Sequence, residues 1–285
     1  YQEEFQAFAD DRMAGHNREP DADFLGLSSE HMARLLYSPF TQNSDIVRIN
    51  RDISPKLYKK APIVKNAQFF LSALAEEEPL RATAKGNLPV QFAKKLFDQI
   101  EDSRFKKYIS FRSEENSMKV QTLRHILQKG GWIKKEKKQF KLTRRGLQLL
   151  KDGFSEQHFY RLLDTYAIKF NWAFLDRYPA FRIIQDSWLF SLFLLHKEAK
   201  AYTEDTALVR YFIKAFPEIA LEVDAFYSSE FDYIACCFSL RFFERFCEYF
   251  GFVDTRREKQ EDSYSEKLFI KMSPLYKEYF IWEVQ

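Results

Sequence analysis

Laid over itself at an offset of 120 positions, the chain repeats its own pattern of apolar residues, glycine and short extended pieces in one order. Residues 66–83 fall on 186–203, in each case an apolar helix followed by a short extended piece. Leu88 and Phe92 fall on Leu208 and Phe212; Leu123, Ile126, Leu127 and Gly131 fall on Phe243, Phe246, Cys247 and Gly251. Trp132-Ile133 is matched by Phe252-Val253, and after a longer charged loop Phe140-Lys141-Leu142-Thr143 is matched by Ile270-Lys271-Met272-Ser273. At an offset of 127, Ser28-x-x-His31-x-x-Arg34-Leu35-Leu36 recurs as Ser155-x-x-His158-x-x-Arg161-Leu162-Leu163. Leucine spacing alone is common to all helices. This many matches in one order point to two tandem copies of one unit.

The first copy sets out the unit. Ser28 is placed to cap a helix through Tyr37, with Leu27 and Met32 as its hydrophobic staple, and Pro39 stops it. An amphipathic helix over 66–77, a short strand at 80–83 and a helix over 88–100 follow. A third helix runs over 114–129, with Val120, Leu123, Ile126 and Leu127 as its buried stripe, and Gly130-Gly131 ends it. Two short strands at 132–135 and 139–143 flank a charged turn, and a last helix starts at Arg144. Helix, strand, helix, helix, hairpin is the order of a winged helix-turn-helix domain. The expected fold class is therefore mainly α with small β-hairpins: two tandem winged-helix-like units, each preceded by a capped helix. A further short helix is expected at 5–8.

Composition supports this. Thirty Phe and 15 Tyr among 285 residues fill a sizeable core, while only 8 Gly and 9 Pro argue against an all-β chain. Phe159, Leu162, Leu163, Tyr166, Phe170 and Phe174 form one helical stripe, expected to pack between the copies. Three cysteines, two of them adjacent, suit neither a disulfide framework nor a metal site, so a reducing, cytoplasmic setting is expected. No apolar run approaches the roughly 20 residues that span a bilayer, and the polar, acidic opening residues do not read as a signal peptide.

Charge divides the chain into three expected domains. An acidic N-terminal segment with its capped helix, 1–57, carries a net −4. A basic winged-helix-like domain, 58–153, carries +12, and an aromatic-rich helical domain with the second winged-helix-like unit, 154–285, carries −5. A single basic segment of this kind is the footprint of a polyanion partner.

Catalytic patterns are absent from the sequence. It has no phosphate-loop glycines, no nucleophile elbow, and five histidines too far apart for metal spacing. No cofactor is expected, and the chain reads as a binding protein more than an enzyme. His31 and His158 each follow a capping Ser by three residues, where a side chain reaches back to the helix start.

The candidate nucleic-acid site gathers on the third helix and the hairpin. Gln121, Arg124, His125, Gln128 and Lys129 lie on or beside the face opposite the apolar stripe, and Gln and Arg can bond base edges. Lys106, Lys107 and Arg112 precede the helix. Lys134, Lys135, Lys137 and Lys138 of the hairpin, with Arg144 and Arg145 at the next helix start, are placed to neutralise phosphates. DNA is the expected partner. The alternative is an interaction adaptor, a homodimer or a protein complex formed through the second unit, whose 239–250 helix is aromatic nearly all round. No membrane partner is expected.

"FLGLSSEHMARLLYSPF" at 24–40, "ATAKGNLPVQF" at 82–92 and the hairpin "GGWIKKEKKQFKLTRRG" resemble a group of uncharacterised bacterial proteins. Those share a Leu-Gly-Leu-Ser-x-x-x-Met segment and a Thr-Ala-Lys-Gly-Asn-Leu-Pro segment. Some relatives carry a SEC-C zinc motif or plasmid ORF-3-like domains. The resemblance covers the first half of the chain and implies a bacterial, cytoplasmic protein with a winged-helix core. It transfers no catalytic residue, and without a terminal Cys-x-Cys it transfers no zinc.

Overall fold

The computed structural model describes residues 15, 17–37, 46–102, 106–223, 229–259 and 266–284; the helix expected at 5–8 lies outside them. The described residues are mainly helical, with small antiparallel sheets. None of the described helices is long and apolar enough to cross a membrane.

The chain forms two compact units. The first comprises 51–177 with 249–251. The second comprises the described residues up to Asn50, then 178–248, then those from 252 onward.

In the first unit the helix Pro62–Glu77 leads through the strand Leu80–Arg81 to the helix Val90–Ile100. A 3-10 turn, Glu114–Asn116, precedes the helix Met118–Lys129, because Ser117 takes over as its cap and accepts from the Val120 N–H. The hairpin Ile133–Glu136 and Gln139–Leu142 and the helix Arg144–Asp152 complete the series. Apolar faces of all these elements meet in one core, where Phe70 and Phe92 pack edge to face at 5.7 Å and Trp132 and Phe140 are fully buried.

The second unit repeats the order: Trp188–Glu198, Thr203–Glu204, Asp205–Ala215, a helix from Glu230, the hairpin Val253–Lys259 and Glu266–Met272, then Pro274–Tyr279. Strand order matches as well. In each sheet the second hairpin strand lies in the middle, between the first hairpin strand and the short early strand. Ile133 pairs with Leu142 where Val253 pairs with Met272. Each hairpin follows a glycine at positive φ, Gly131 at 79° and Gly251 at 72°, the left-handed backbone that ends a helix at no steric cost. Thr143 and Ser273, the equivalent residues after the hairpins, each cap the next helix through the side chain.

Two of the described elements wind as π-helix, the first being Thr165–Lys169 in the first unit. The other, Ser239–Glu248 in the second unit, thereby brings residues four and five apart onto one side. Phe238, Phe242, Phe243 and Cys247 are thereby all buried in the unit's own core. Arg241 is buried with them and donates to the carbonyls of Pro179 and Ala180 at 2.8 and 2.7 Å. Val47–Ile49 pairs antiparallel with Phe280–Trp282, which ties the early segment into this unit.

The two capped helices are exchanged. Ser29–Tyr37 precedes the first repeat, yet belongs to the unit built from the second, where Met32 and Leu35 are buried. Glu156–Asp164 precedes the second repeat, yet belongs to the unit built from the first. The stripe expected on one helix between the copies is part of the first unit, and its helical winding ends at Lys169, which leaves Phe170 extended and Phe174 in a turn beyond it. Its Phe159 stacks on Tyr58 at 5.9 Å, and Leu162 and Leu163 are buried. Both helices are closed in the same way: the Ser28 and Ser155 N–H groups donate to Nδ1 of His31 and His158 at 3.4 and 3.1 Å. His31 and His158 thus take the place of the usual Glu or Gln in a capping box.

If Phe159 is a core residue of the first unit, Phe159→Ala should lower stability by about 3–5 kcal/mol. Denaturant unfolding of the intact chain measures this; a loss near zero would contradict the exchange.

Candidate nucleic-acid interface

Glu114 has no exposed surface, and its charge is met on both oxygens. One accepts from Arg124 Nε at 2.5 Å, the other from the Leu88 N–H at 2.6 Å. Leu88 ends a tight turn that Thr83 closes, its N–H donating to the Asn87 carbonyl and its Oγ1 accepting from the Asn87 N–H. Asn87 and Lys85 both reach Glu115, at 3.1 and 3.3 Å. The Thr-Ala-Lys-Gly-Asn-Leu-Pro segment is therefore a polar clasp around the start of the Met118–Lys129 helix.

That clasp decides what the helix can do. Arg124 is only 6% exposed, held by Glu114 and by Gln128 Oε1 at 2.8 Å, and Gln121 is 8% exposed. These two residues do not lie on an open face, as the sequence pattern suggested. The polar flank of the helix is used inside the fold, because a buried carboxylate there requires a guanidinium. Gln128 is occupied by Arg124. His125 is half-buried, edge-on to Phe174 at 5.1 Å. Lys129 is exposed at the helix end.

The remaining candidates divide between local contacts and open surface. Lys106 donates to the Asp98 carbonyl, Lys107 lies 4.8 Å from the Tyr108 ring centre, and Arg112 is exposed. Arg145 is exposed but donates to the Gly130 carbonyl at 3.3 Å; Arg161 reaches the same oxygen at 2.9 Å. The pair meets the partial negative charge at the carbonyl end of the 118–129 helix. Arg144 is exposed.

The hairpin remains the open basic surface. Lys135 shares the inner side with Phe140 and ends on the Gly86 carbonyl at 3.1 Å. Lys134 and Lys141 face outward and sit directly opposite each other in the ladder. Arg81, opposite Gln139, extends the same face on the third strand. Arg81 and Lys141 were missed in the sequence; strand alternation from the buried Phe140 would have placed Lys141 outward. Arg81, Lys137, Lys138 and Lys141 form no salt bridge among the described residues, while Lys134 reaches Glu136 at 2.9 Å. That hydrogen bond, with the charges of Lys134 and Lys141, holds the Glu136 carboxyl below its ordinary range. The two-residue turn is Lys137-Lys138, both left-handed at φ 48° and 61°. This is the geometry that favours Asn-Gly.

The equivalent hairpin of the second unit is neutralised. There Asp254 opposes Lys271, Glu258 opposes Lys267 and Lys259 opposes Glu266. Arg256 lies 5.0 Å from the ring centres of both Tyr202 and Phe269, and Arg257 binds Glu244 and Glu248 at 3.3 and 3.1 Å. Comparison with family models, with curated proteins and with solved structures finds no match for this chain.

Removing one partner of the buried pair leaves the other charge unmet. Glu114→Gln should cost about 3–5 kcal/mol, and Glu114→Met with Arg124→Met should restore much of it. Chemical denaturation of the two variants checks this, and equal losses would refute it.

His125 gives a pH dependence. Burial first, then the charges of Arg124, Lys129 and Lys135, lower its pKa to about 4. The unfolded chain, near its ordinary 6.5, binds that proton more readily, so the contribution to stability is full above about pH 6.5 and is lost as pH falls towards 4. Denaturation midpoints from neutral pH down to about pH 4 should fall less steeply in His125→Gln than in the native chain. Parallel curves would refute the assignment.

Proposed function

We propose that this is a non-enzymatic nucleic-acid-binding protein, and that its first unit, winged-helix-like in its order of elements, contacts DNA through the hairpin. The observation that carries the reading is the Lys134–Lys141 pair, two like charges directly opposed in a ladder with a single carboxylate, Glu136, beside them. Such a pair opposes folding. The second hairpin has Asp254 against Lys271 at the same register, so the frame does not require the repulsion. A phosphate backbone laid across this face relieves it and releases counterions in doing so.

The base-reading helix of the usual winged-helix arrangement is not part of this reading, since Gln121 and Arg124 are buried. The contact set is Arg81, Lys134, Lys137, Lys138 and Lys141, with Arg144 alongside. The adaptor reading has less support, because the aromatic residues that suggested it, Phe238, Phe242, Phe243 and Phe246, are buried in their own unit. Resemblance of the first half to bacterial proteins with a winged-helix core adds a cytoplasmic setting.

Mobility shift of the intact protein with duplex DNA over a salt series tests the proposal. Lys134→Glu with Lys141→Glu should weaken binding at least about tenfold, and Lys271→Glu should leave it unchanged. Absence of a complex, or one that ignores both salt and the double substitution, would sink it.

A further inference from the structure

We infer that the first unit grips the phosphate backbone of a duplex without reading its base sequence, using only the outer sheet face and the turn of its hairpin. This rests on the nucleic-acid reading above and narrows it to a substrate class.

Sequence readout by a helix needs several adjacent side chains free to enter the major groove. Met118–Lys129 lacks them. Gln121 and Arg124 are buried, Gln128 is held by Arg124, and His125 lies against Phe174. Lys119, though exposed, is tied to the buried Glu101 at 3.1 Å, and Lys129 is exposed at the opposite end of the helix. Closure of this face comes from the fold itself. The Glu114–Arg124 pair fixes one flank, and Phe174, beyond the exchanged Glu156–Asp164 helix, covers the other.

The hairpin offers a different chemistry. Four of the five cations on this face, Lys134, Lys137, Lys138 and Lys141, are ammonium point charges, which attract phosphate but lack the planar fork that selects a base edge; Arg81, on the short strand beside the hairpin, is the one guanidinium. No aromatic residue stands among the outward positions Arg81, Lys134, Glu136, Gln139 and Lys141, so an unpaired base finds no stacking platform there. Left-handed backbone at both Lys137 and Lys138 is a strained choice for residues with a Cβ. Asn-Gly would close the same turn without strain. What lysine adds at these two positions is charge at the hairpin tip.

Fluorescence anisotropy with the intact protein separates the outcomes. The probes are two short labelled duplexes of unrelated sequence, one A·T-rich and one G·C-rich, and a single strand of equal length. Both duplexes should bind within about twofold of each other, with log K falling against log salt at a slope of about −4 for some five cations less Glu136. The single strand should bind more weakly. Lys137→Asn with Lys138→Gly, which suits the turn and keeps the fold, should reduce the slope by about two. A tenfold preference for either duplex, tighter binding of the single strand, or an unchanged slope in the turn variant would overturn this inference while leaving DNA binding in place. Failure to bind any of the three probes would remove the reading on which it rests.

Discussion

Neither repeat closes a core from its own residues. The first repeat is completed by Phe159, Leu162 and Leu163 from the helix that introduces the second. The second is completed by Met32 and Leu35 from the helix that introduces the first. The constraint is one of area. A unit of this size has little apolar surface to spare, and a helix that buries two or three large side chains supplies a substantial share of its stability. The exchange also makes the Ser-x-x-His caps intelligible. A helix that must dock away from its own repeat gains from a start that is closed locally, and the imidazole does this without placing a second carboxylate at the cap.

Within the first unit the same economy explains why the 118–129 helix has its Gln121 and Arg124 buried. A helix covered on its apolar stripe by the core, and on one flank by Glu114, has its guanidinium committed. Exposing Arg124 would strand a carboxylate with no accessible surface. Phe174 reaches the other flank only because the exchanged helix brings that stretch of chain into the unit. The closed face of the helix is thus a consequence of helix exchange.

Much of this was legible in the residues, and the illegible part has a physical pattern. Apolar period and glycine placed most of the helices and both hairpins to within a few residues, because those signals act over one or two turns, but carried the helix from Ser155 on to Phe174, past its end at Lys169. Offsets of 120 and 127 exposed the repeat, and even the hairpin register follows from them. Spacings of four and five among Phe238, Phe242, Phe243 and Cys247 were visible too, but on an α-helical wheel they spread around the helix; π-winding gathers them. Burial of Gln121 and Arg124 could not be read, since helical period separates apolar from polar faces and says nothing of a distant segment that covers a polar one. Pairing of Val47–Ile49 with Phe280–Trp282 is beyond reach for the same reason.

The two hairpins, finally, act as an internal control on the meaning of charge. They share frame, register, entry glycine and exit cap, so any feature that the fold demands should appear in both. Opposed lysines and a Lys-Lys turn appear in one alone. A solvated surface that needed only solubility would be served by mixed signs, as the second hairpin is. Repulsion across a ladder and left-handed lysines both work against folding. Their coincidence on the one hairpin whose neighbouring helix has its Gln121 and Arg124 buried is what supports the proposal of an anionic partner for this sheet face.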